Sequence, residues 1–332
     1  LLLHRQLPNW IWEEKYNIGI WGWELEVFPP EYMEYIKSFD EIWVYSSFVM
    51  ESISNADGYA GTPIKVLPIP ITDSILSAVP PPESKEVDDG VPVIESWSGD
   101  TFVFLVVFDF FSTELRKNPS GAIRAFLAAF PNGDSGRKCR LVVKAGNPFY
   151  NGDFTKKFRD LQLLANGDER IVFITEHLSD LAVAKLERRA NCYVALHRGE
   201  GYGINAIESM ALGIPVIATN YSATVDFFSA VSSQWNICHF PIPYELVTIT
   251  TGEPTPYKDG SIWPEPNHDA AVRAMQKVIE NDCSTLHELT EKALWSRYSE
   301  HAVAKQAQGY LYESMLAIRK SVDFKLVRQH QP

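Results

Sequence analysis

Residues 192–220, CYVALHRGEGYGINAIESMALGIPVIATN, carry the clearest indication of the fold. Its apolar start predicts a buried strand, which ends at the glycine-rich GEGYG. Ile204, Ile207 and Ala211 then recur at helical spacing, and the apolar PVIATN predicts a second strand. Because parallel strands need a crossover connection, this order of strand, turn, helix and strand predicts one unit of a parallel sheet.

The same alternation runs along the chain from residue 101 onward. The apolar runs are TFVFLVVF, RLVVKAG, RIVFITE, CYVALHR, PVIATN and WNICHF. Asn118 before Pro119 predicts the start of a helix over NPSGAIRAFLAAF, and Ser179 predicts the start of another. Strands that are apolar along their whole length are covered on both faces, so we expect a doubly wound, Rossmann-like α/β domain.

Upstream of this domain the sequence predicts a smaller α/β region. IGIWGW, EIWVYS and PIKVLPIPI predict three strands, and PPEYMEYIKS predicts a helix between the first two. The prolines, acidic residues and glycines of residues 79–100 predict a linker or exposed connection. After residue 267 we expect two or three helices, with a long one near residues 293–316.

The composition is that of a globular protein and limits the choice of ligand. The chain has 332 residues, of which 45% are hydrophobic and 22% charged, and no apolar run is long enough for a membrane span. Its net charge of -12 disfavours nucleic acid as a partner, because phosphate backbones are bound mainly by surplus Lys and Arg. An anionic ligand would need a local positive pocket.

Cysteine usage and the first residue give two further expectations. Cys139, Cys192, Cys238 and Cys283 are scattered, and two of them lie in apolar runs, so we expect reduced thiols and a cytosolic location. The chain starts with Leu1, and LLLH is too short for the apolar region of a signal peptide. We expect the sequence to begin inside a longer protein.

Two carboxylates, Glu200 and Glu208, flank the glycine turn of the opening stretch. Helix N-termini favour anions, and Gly201 and Gly203 let a phosphate approach the backbone closely. Carboxylates accept hydrogen bonds from hydroxyl groups. A ligand with an anionic centre and hydroxyls at both ends fits this arrangement, and a nucleotide sugar is such a ligand.

Two other interpretations stay open at this point. A dinucleotide-binding fingerprint would place its third glycine where Ile204 stands, and an acidic residue at the end of the next strand, where Asn220 stands. The simpler alternative is a glycine turn with two solvated glutamates.

EGYGINAIESMALGIPVIATN resembles the signature of the family-four (group 1) retaining glycosyltransferases, in which two glutamates flank a glycine turn. FDFFSTELRKNPSGAIRAF resembles the first strand and the basic loop of the same donor domain. YNIGIWGWELEVFPPEYMEYIKSFDEIWVYSSFV, TVDFF and WPEPNHDAA are similar to a subgroup that builds bacterial surface polysaccharides. The resemblance covers about residues 17–315.

The resemblance implies the α/β fold called GT-B, with two Rossmann-like domains, of which the N-terminal one is incomplete in this sequence. The implied division is a partial acceptor-side domain at 1–75, a linker at 76–100, a donor-binding domain at 101–298 and a C-terminal helix at 299–332. That helix would pack back on the N-terminal domain.

Roles for individual residues also follow from the resemblance. Glu208 would bind the ribose hydroxyls, Glu200 the hydroxyls of the transferred sugar, and Lys117 with Arg116 the departing diphosphate. Further donor contacts would come from Gly201, Tyr202, Gly203, Ile204 and Asn205, and from the loop from Thr175 to His177, which would seat the base.

The resemblance leaves the roles of four more residues open. Ser112 stands where many relatives carry an arginine, and Lys144 could reach the same pocket or extend to solvent. Glu24, in WGWE, is the candidate on the acceptor side. His197 fits either a donor contact or a hydrogen-bonded core histidine.

The implied activity is transfer of a hexose from a nucleotide-diphosphate sugar to a glycan or lipid-linked saccharide, with retention of configuration. No cofactor is expected beyond that co-substrate, and no metal, because the sequence has no Asp-x-Asp and no pair of histidines at ligand spacing. The location would be cytoplasmic, at the inner face of the membrane if the enzyme makes peripheral contact with it, which the resemblance leaves open. The alternative is a non-catalytic nucleotide-sugar-binding subunit or sensor.

Overall fold

The residues that the structure describes form two parallel sheets and one hairpin. A computed structural model describes residues 15–72, 101–131, 138–231, 238–250, 257–281, 283 and 293–329. The predicted connection over residues 79–100 lies outside the described residues.

The N-terminal sheet confirms the three strands expected there. It contains β1 (Ile18–Trp21), β2 (Glu41–Val44) and β3 (Ile64–Val66), all parallel and adjacent in that order. The predicted helix between β1 and β2 is shorter than its pattern. It consists of a 3-10 turn at Pro30–Tyr32 and one α-helical turn, α1 (Met33–Ile36). A further helix, α2 (Ser47–Ser54), leads from β2 towards β3.

The second sheet confirms the doubly wound prediction. Its strands are β4 (Phe102–Asp109), β5 (Cys139–Gly146), β6 (Ile171–Ile174), β7 (Cys192–Ala195), β8 (Val216–Thr219) and β9 (His239–Ile242). All are parallel, in the order β6-β5-β4-β7-β8-β9. This order is that of a Rossmann domain, in which the strand order reverses at the first strand, here β4.

Helices cover both faces of this sheet. They are α3 (Glu114–Lys117), α4 (Pro119–Ala129), α5 (Gly152–Ala165), α6 (Asp180–Arg189), α7 (Ile204–Ala211) and α8 (Ala223–Ala230), followed later by α9 (His268–Glu280). On one face, Phe104 of β4 lies in a core with Phe126 of α4 and Met275 of α9. On the other, Leu105 lies in a core with Met210 of α7. Burial on both faces explains why the strands are apolar along their whole length.

The two predicted helix starts are confirmed by side-chain caps. The side chain of Asn118 accepts a hydrogen bond from the backbone of Gly121 at the start of α4. The hydroxyl of Ser179 accepts one from the backbone of Ala182 at the start of α6. Each cap satisfies a backbone N–H that has no partner inside its own helix.

The end of the chain contacts the N-terminal sheet through α10 (Glu300–Gln329). The hydroxyl of Ser314 donates to the buried carboxylate of Glu41 at 2.7 Å, and the hydroxyl of Tyr310 donates to the carbonyl of Val66 at 3.0 Å. Lys65 forms a salt bridge with Glu41 at 2.8 Å. These bonds connect the last helix of the chain to β2 and β3.

Three local features add to or differ from the expectations. The run WNICHF overlaps β9, which starts at His239 and continues through Pro241, as an edge strand tolerates, while residues 235–237 of that run lie outside the described residues. An antiparallel hairpin of β10 (Tyr244–Thr248) and β11 (Ile262–Pro266) was not predicted. The expectation of reduced cysteines is wrong for Cys238 and Cys283, which form a disulfide.

That disulfide joins two cysteines 45 positions apart, so their spacing in the sequence does not reveal the contact. Cys139 and Cys192 are free and buried. The cytosolic location, for which reduced thiols were the argument, stays a prediction.

Candidate active site

The site lies where the strand order of the large sheet reverses. β4 and β7 are neighbours there, paired through Phe104 with Cys192 and Leu105 with Tyr193. The loops that follow them leave in different directions, and ligands of open parallel sheets bind in the crevice between such loops. The β4 loop leads to Lys117, and the β7 loop carries Glu200.

Lys117 and Glu200, 83 residues apart in the chain, form a salt bridge across this crevice. The carboxylate of Glu200 is 14% exposed, and the guanidinium of Arg116 lies 3.6 Å from it. Burial alone would raise the pKa of Glu200, but Lys117 and Arg116 outweigh burial and lower that pKa to about 2. Glu200 is therefore an ionised acceptor of hydrogen bonds at neutral pH.

Arg116 lies behind this pair and holds the loop. Its side chain is buried and donates to the backbone carbonyl of Gly199 at 2.8 Å and to that of Ser112 at 3.2 Å. The backbone carbonyl of Arg116 in turn accepts from the N–H of Arg198 at 2.7 Å. Its guanidinium is thus engaged with protein groups on both sides of the crevice.

The glycines of the turn are required by a close approach to the N-terminal domain. A Cβ at Gly199 would lie 2.5 Å from the carbonyl oxygen of Glu24, and one at Gly201 would lie 3.1 Å from the carbonyl oxygen of Trp23. Gly203, which starts α7, has a φ of 96°, a left-handed conformation that suits glycine. The turn therefore packs directly on the segment after β1.

Four hydrogen bonds fix the turn in place. The hydroxyl of Ser46 donates to the carbonyl of Gly201 at 3.0 Å, and the hydroxyl of Tyr202 donates to the carbonyl of Ile69 at 2.5 Å. The N–H of Glu200 donates to the hydroxyl of Ser222 at 3.0 Å, and the carbonyl of Glu200 accepts from the N–H of Ala223 at 3.2 Å. The backbone of the turn is thus held by both domains.

A cavity of about 520 Å³ opens beside Lys117, at the carboxyl ends of β4, β5 and β6. It brings together four of the residues expected at a donor site, which are Lys117, Thr175, His177 and Asn205. The other lining residues are Val107, Phe108, Asp109, Ser112, Lys144, Gly146, Asn147, Pro148, Phe149, Tyr150, Glu176, Leu178 and Val183. A cavity of this size matches a small-molecule ligand site.

Glu208 lies on α7, three residues beyond Asn205, in an acidic environment. Burial and the charge of Asp180 raise the pKa of Glu208 to about 7. Burial, with the charge of Glu208, also raises the pKa of the fully buried Glu187 well above its usual value. The amide of Asn205 donates to Glu187 at 2.9 Å, which links the cavity wall to this pair.

The structure also places residues that the sequence left open or missed. Glu24 accepts a hydrogen bond from the hydroxyl of Tyr257 at 3.1 Å, near the glycine turn. His197 is buried, but neither ring nitrogen has a hydrogen-bond partner among the described residues, so the expected hydrogen-bonded core histidine is not found. Burial lowers the pKa of His197 to about 4, so the ring is neutral at pH 7. Tyr257 and Glu187 carry no local sequence signal for their contacts.

Comparison with known proteins identifies the part of the chain that holds this site. Residues 99–235, which contain Lys117, the glycine turn and Glu208, match the model of the family described as glycosyl transferases group 1. Residues 99–235 are a group 1 glycosyltransferase domain. The glycosyltransferase domain is also 30% identical over 81 residues to the lipopolysaccharide core biosynthesis mannosyltransferase LpsB of Rhizobium meliloti (strain 1021). That alignment spans 24% of this chain and 22% of the length of LpsB.

Solved structures extend the similarity beyond the glycosyltransferase domain to most of the chain. Sucrose-phosphate synthase from Thermosynechococcus elongatus superimposes with a TM-score of 0.63 at 17% identity, over 93% of this chain and 71% of that one. Anabaena Alr3699/HepE, solved in complex with UDP and glucose, gives 0.64 at 12% identity, over 92% and 73%. At these identities the similarity establishes the fold, which is the GT-B fold of these glycosyltransferases.

The described part of the chain contains neither a candidate membrane span nor a candidate metal-binding cluster. No helix there has the length and apolar character needed to cross a bilayer. No three His, Cys, Asp or Glu side chains in the same described ranges are grouped so that they could hold a metal ion.

Proposed function

We propose that this chain transfers a hexose from a nucleotide-diphosphate sugar to a glycan or lipid-linked saccharide, with retention of configuration and without a metal. The observation that carries the proposal is the Lys117–Glu200 salt bridge at the switch point of the sheet, within a group 1 glycosyltransferase domain. Two similar proteins support its two halves. One binds UDP and glucose, and the other is a lipopolysaccharide mannosyltransferase.

The charges of the site fit the parts of such a donor. Glu200, ionised and largely buried, would accept hydrogen bonds from hydroxyls of the transferred sugar. Lys117 has three N–H donors, and one of them reaches Glu200, so the others can point to phosphate. As the bond to the sugar breaks, negative charge grows on the diphosphate, and a fixed ammonium group stabilises that charge.

The remaining contacts would hold the nucleoside. The loop from Thr175 to His177 lies in the cavity wall at the end of β6, and there it would seat the base. Glu208 would accept hydrogen bonds from the ribose hydroxyls, and the backbone from Gly201 to Ile204 would line the diphosphate and sugar. We assign Arg116 a positioning role, because its guanidinium holds Gly199 and Glu200 rather than facing the cavity.

Contact with a membrane surface belongs to the same proposal. Leu311, Met315 and Ile318 are exposed apolar side chains of α10, and such contact would use them. They would bring the enzyme close to a lipid-linked acceptor at the inner face of the membrane.

Calorimetric titration with UDP, GDP and dTDP, each with and without EDTA, tests the donor site. We expect one nucleotide to bind in both conditions. Glu208→Ala should weaken that binding by about 1 to 3 kcal/mol, since the ribose hydroxyls lose their acceptor. Glu51→Ala, an exposed position on α2, is the control and should bind as the wild type does. Failure of the folded wild type to bind any of the three, or binding only without EDTA, would contradict the proposal.

A further inference from the structure

Lys144 is a buried cation in the wall of the donor cavity. It lies near the end of β5, paired in the sheet with Val107 and Ile174, and is only 7% exposed. No described residue forms a hydrogen bond or a salt bridge with its ammonium group. The cavity is therefore the immediate environment of the positive charge of Lys144.

The two nearest carboxylates are engaged elsewhere. Asp109 accepts hydrogen bonds from the N–H of Phe111 at 2.7 Å and from the amide of Asn147 at 2.6 Å. Glu176 accepts one from the N–H of Thr175 at 3.0 Å. Burial lowers the pKa of Lys144, and the charges of Asp109 and Glu176 oppose that shift without reversing it. An ammonium group held this way is costly to the free protein.

We propose that Lys144 binds the diphosphate of the donor, as the second cation beside Lys117. This inference rests on the proposed function. The family resemblance implies that Lys117 and Arg116 neutralise the departing diphosphate, whereas we assign that role to Lys117 and Lys144. Lys117 and Lys144 line one cavity, from α3 and from β5, whereas Arg116 is held by backbone carbonyls. Two ammonium groups on neighbouring elements match an anion with two phosphates.

The test measures the affinity of wild type and of Lys144→Met for two ligands. One is whichever of UDP, GDP and dTDP binds wild type most tightly, and the other is the corresponding nucleoside without its phosphates. We expect about a 10- to 100-fold loss of affinity for the diphosphate, as for the loss of a hydrogen bond to a charged group, and less than a threefold change for the nucleoside. Lys144→Arg should keep most of the affinity. Lys138→Met, an exposed lysine just before β5, is the matched control and should bind as the wild type does.

Stability of the free protein gives an independent readout. If Lys144 serves a ligand, Lys144→Met removes an unpaired buried charge and should leave the thermal midpoint of the free protein unchanged or higher. A lowered midpoint, or equal losses for diphosphate and nucleoside, would show a structural role and overturn the inference. Diphosphate affinity within twofold of wild type would overturn the inference and leave the proposed function standing, whereas a wild type that binds no nucleotide would overturn both.

Discussion

Glu200 and Glu208 are the same side chain in two electrostatic settings. Two cations oppose the effect of burial on Glu200 and hold its pKa at about 2, whereas burial and the negative charge of Asp180 raise the pKa of Glu208 to about 7. One carboxylate is thus ionised at every physiological pH, and the other changes its charge near neutrality. Under the proposed function, the transferred sugar would contact Glu200, whose charge is constant, and the ribose would contact Glu208, whose charge changes with pH near neutrality.

Glu208→Gln tests this difference through the pH dependence of stability. Native Glu208 keeps its proton up to about pH 7, whereas the unfolded chain releases it near 4.5. The native state therefore binds more protons between these values, and the free energy of unfolding falls as pH rises through them. Glutamine cannot titrate, so the free energy of unfolding of the variant should fall less than that of wild type between pH 5 and pH 7.5. The difference should be on the order of 1 to 2 kcal/mol, after allowance for solvent screening.

Urea denaturation at the two pH values measures this change, with Glu51→Gln as a control at an exposed position. The charge of Glu208 also raises the pKa of Glu187, so Glu208→Gln lowers that pKa as well, and the change in pH dependence belongs to the pair of glutamates. Parallel pH profiles for wild type and Glu208→Gln would show that Glu208 titrates at its ordinary pKa in the native state.

At the scale of elements, the glycine turn between β7 and α7 is shaped by its contact with the segment after β1. Gly199→Ala should destabilise the protein by about 1 to 3 kcal/mol, because its φ of 151° is unfavourable for alanine and the new Cβ would meet the carbonyl oxygen of Glu24. Gly309→Ala is the matched control, since Gly309 lies within α10 with nothing within 4 Å of a Cβ there. The control should gain about 0.5 to 1 kcal/mol.

Midpoints of urea denaturation for the two variants should therefore move in opposite directions. If Gly199→Ala is as stable as wild type, the turn does not pack on residue 24 in solution.

Elements with local signals were predictable from the sequence, and those that depend on distant contacts were not. The strands of the large sheet are apolar because helices cover both faces, and Asn118 and Ser179 cap the helices that follow them directly. By contrast, the β10–β11 hairpin and the Cys238–Cys283 disulfide join residues that are well separated in the sequence and meet only in the folded protein. Arg116 and Lys117 are equivalent in the sequence, but they are successive residues of the short helix α3 and point in different directions. Only the structure separates the buried arginine from the lysine in the cavity wall.

At the scale of the whole molecule, the glycosyltransferase domain and the N-terminal sheet meet at the candidate active site. Ser46, after β2, bonds to the glycine turn, and the N–H of Ser47 donates to Asp226 of α8 at 2.9 Å. Glu24 follows β1 at the same junction and is bonded to Tyr257, which precedes β11. Burial opposes the charged form of Arg116, and the charge of Glu24 is one of those that raise the pKa of Arg116 against it. A carboxylate on the N-terminal side therefore faces the place where, in the proposed reaction, the acceptor would meet the donor sugar.

Glu24→Gln should separate donor binding from transfer. Because Glu24 does not line the cavity beside Lys117, we expect the nucleotide affinity to stay within about threefold of wild type. Transfer should fall about 100-fold or more if the carboxylate orients or deprotonates the acceptor hydroxyl. Release of nucleoside diphosphate from the donor sugar, with oligosaccharide or lipid-linked saccharide acceptors, measures the rate. Glu26→Gln, an exposed glutamate two residues further along, is the control and should transfer at the wild-type rate. Equal rates for wild type and Glu24→Gln would exclude an acceptor role for Glu24, and a wild type that binds donor but releases no diphosphate with any acceptor would favour the alternative of a non-catalytic nucleotide-sugar-binding subunit.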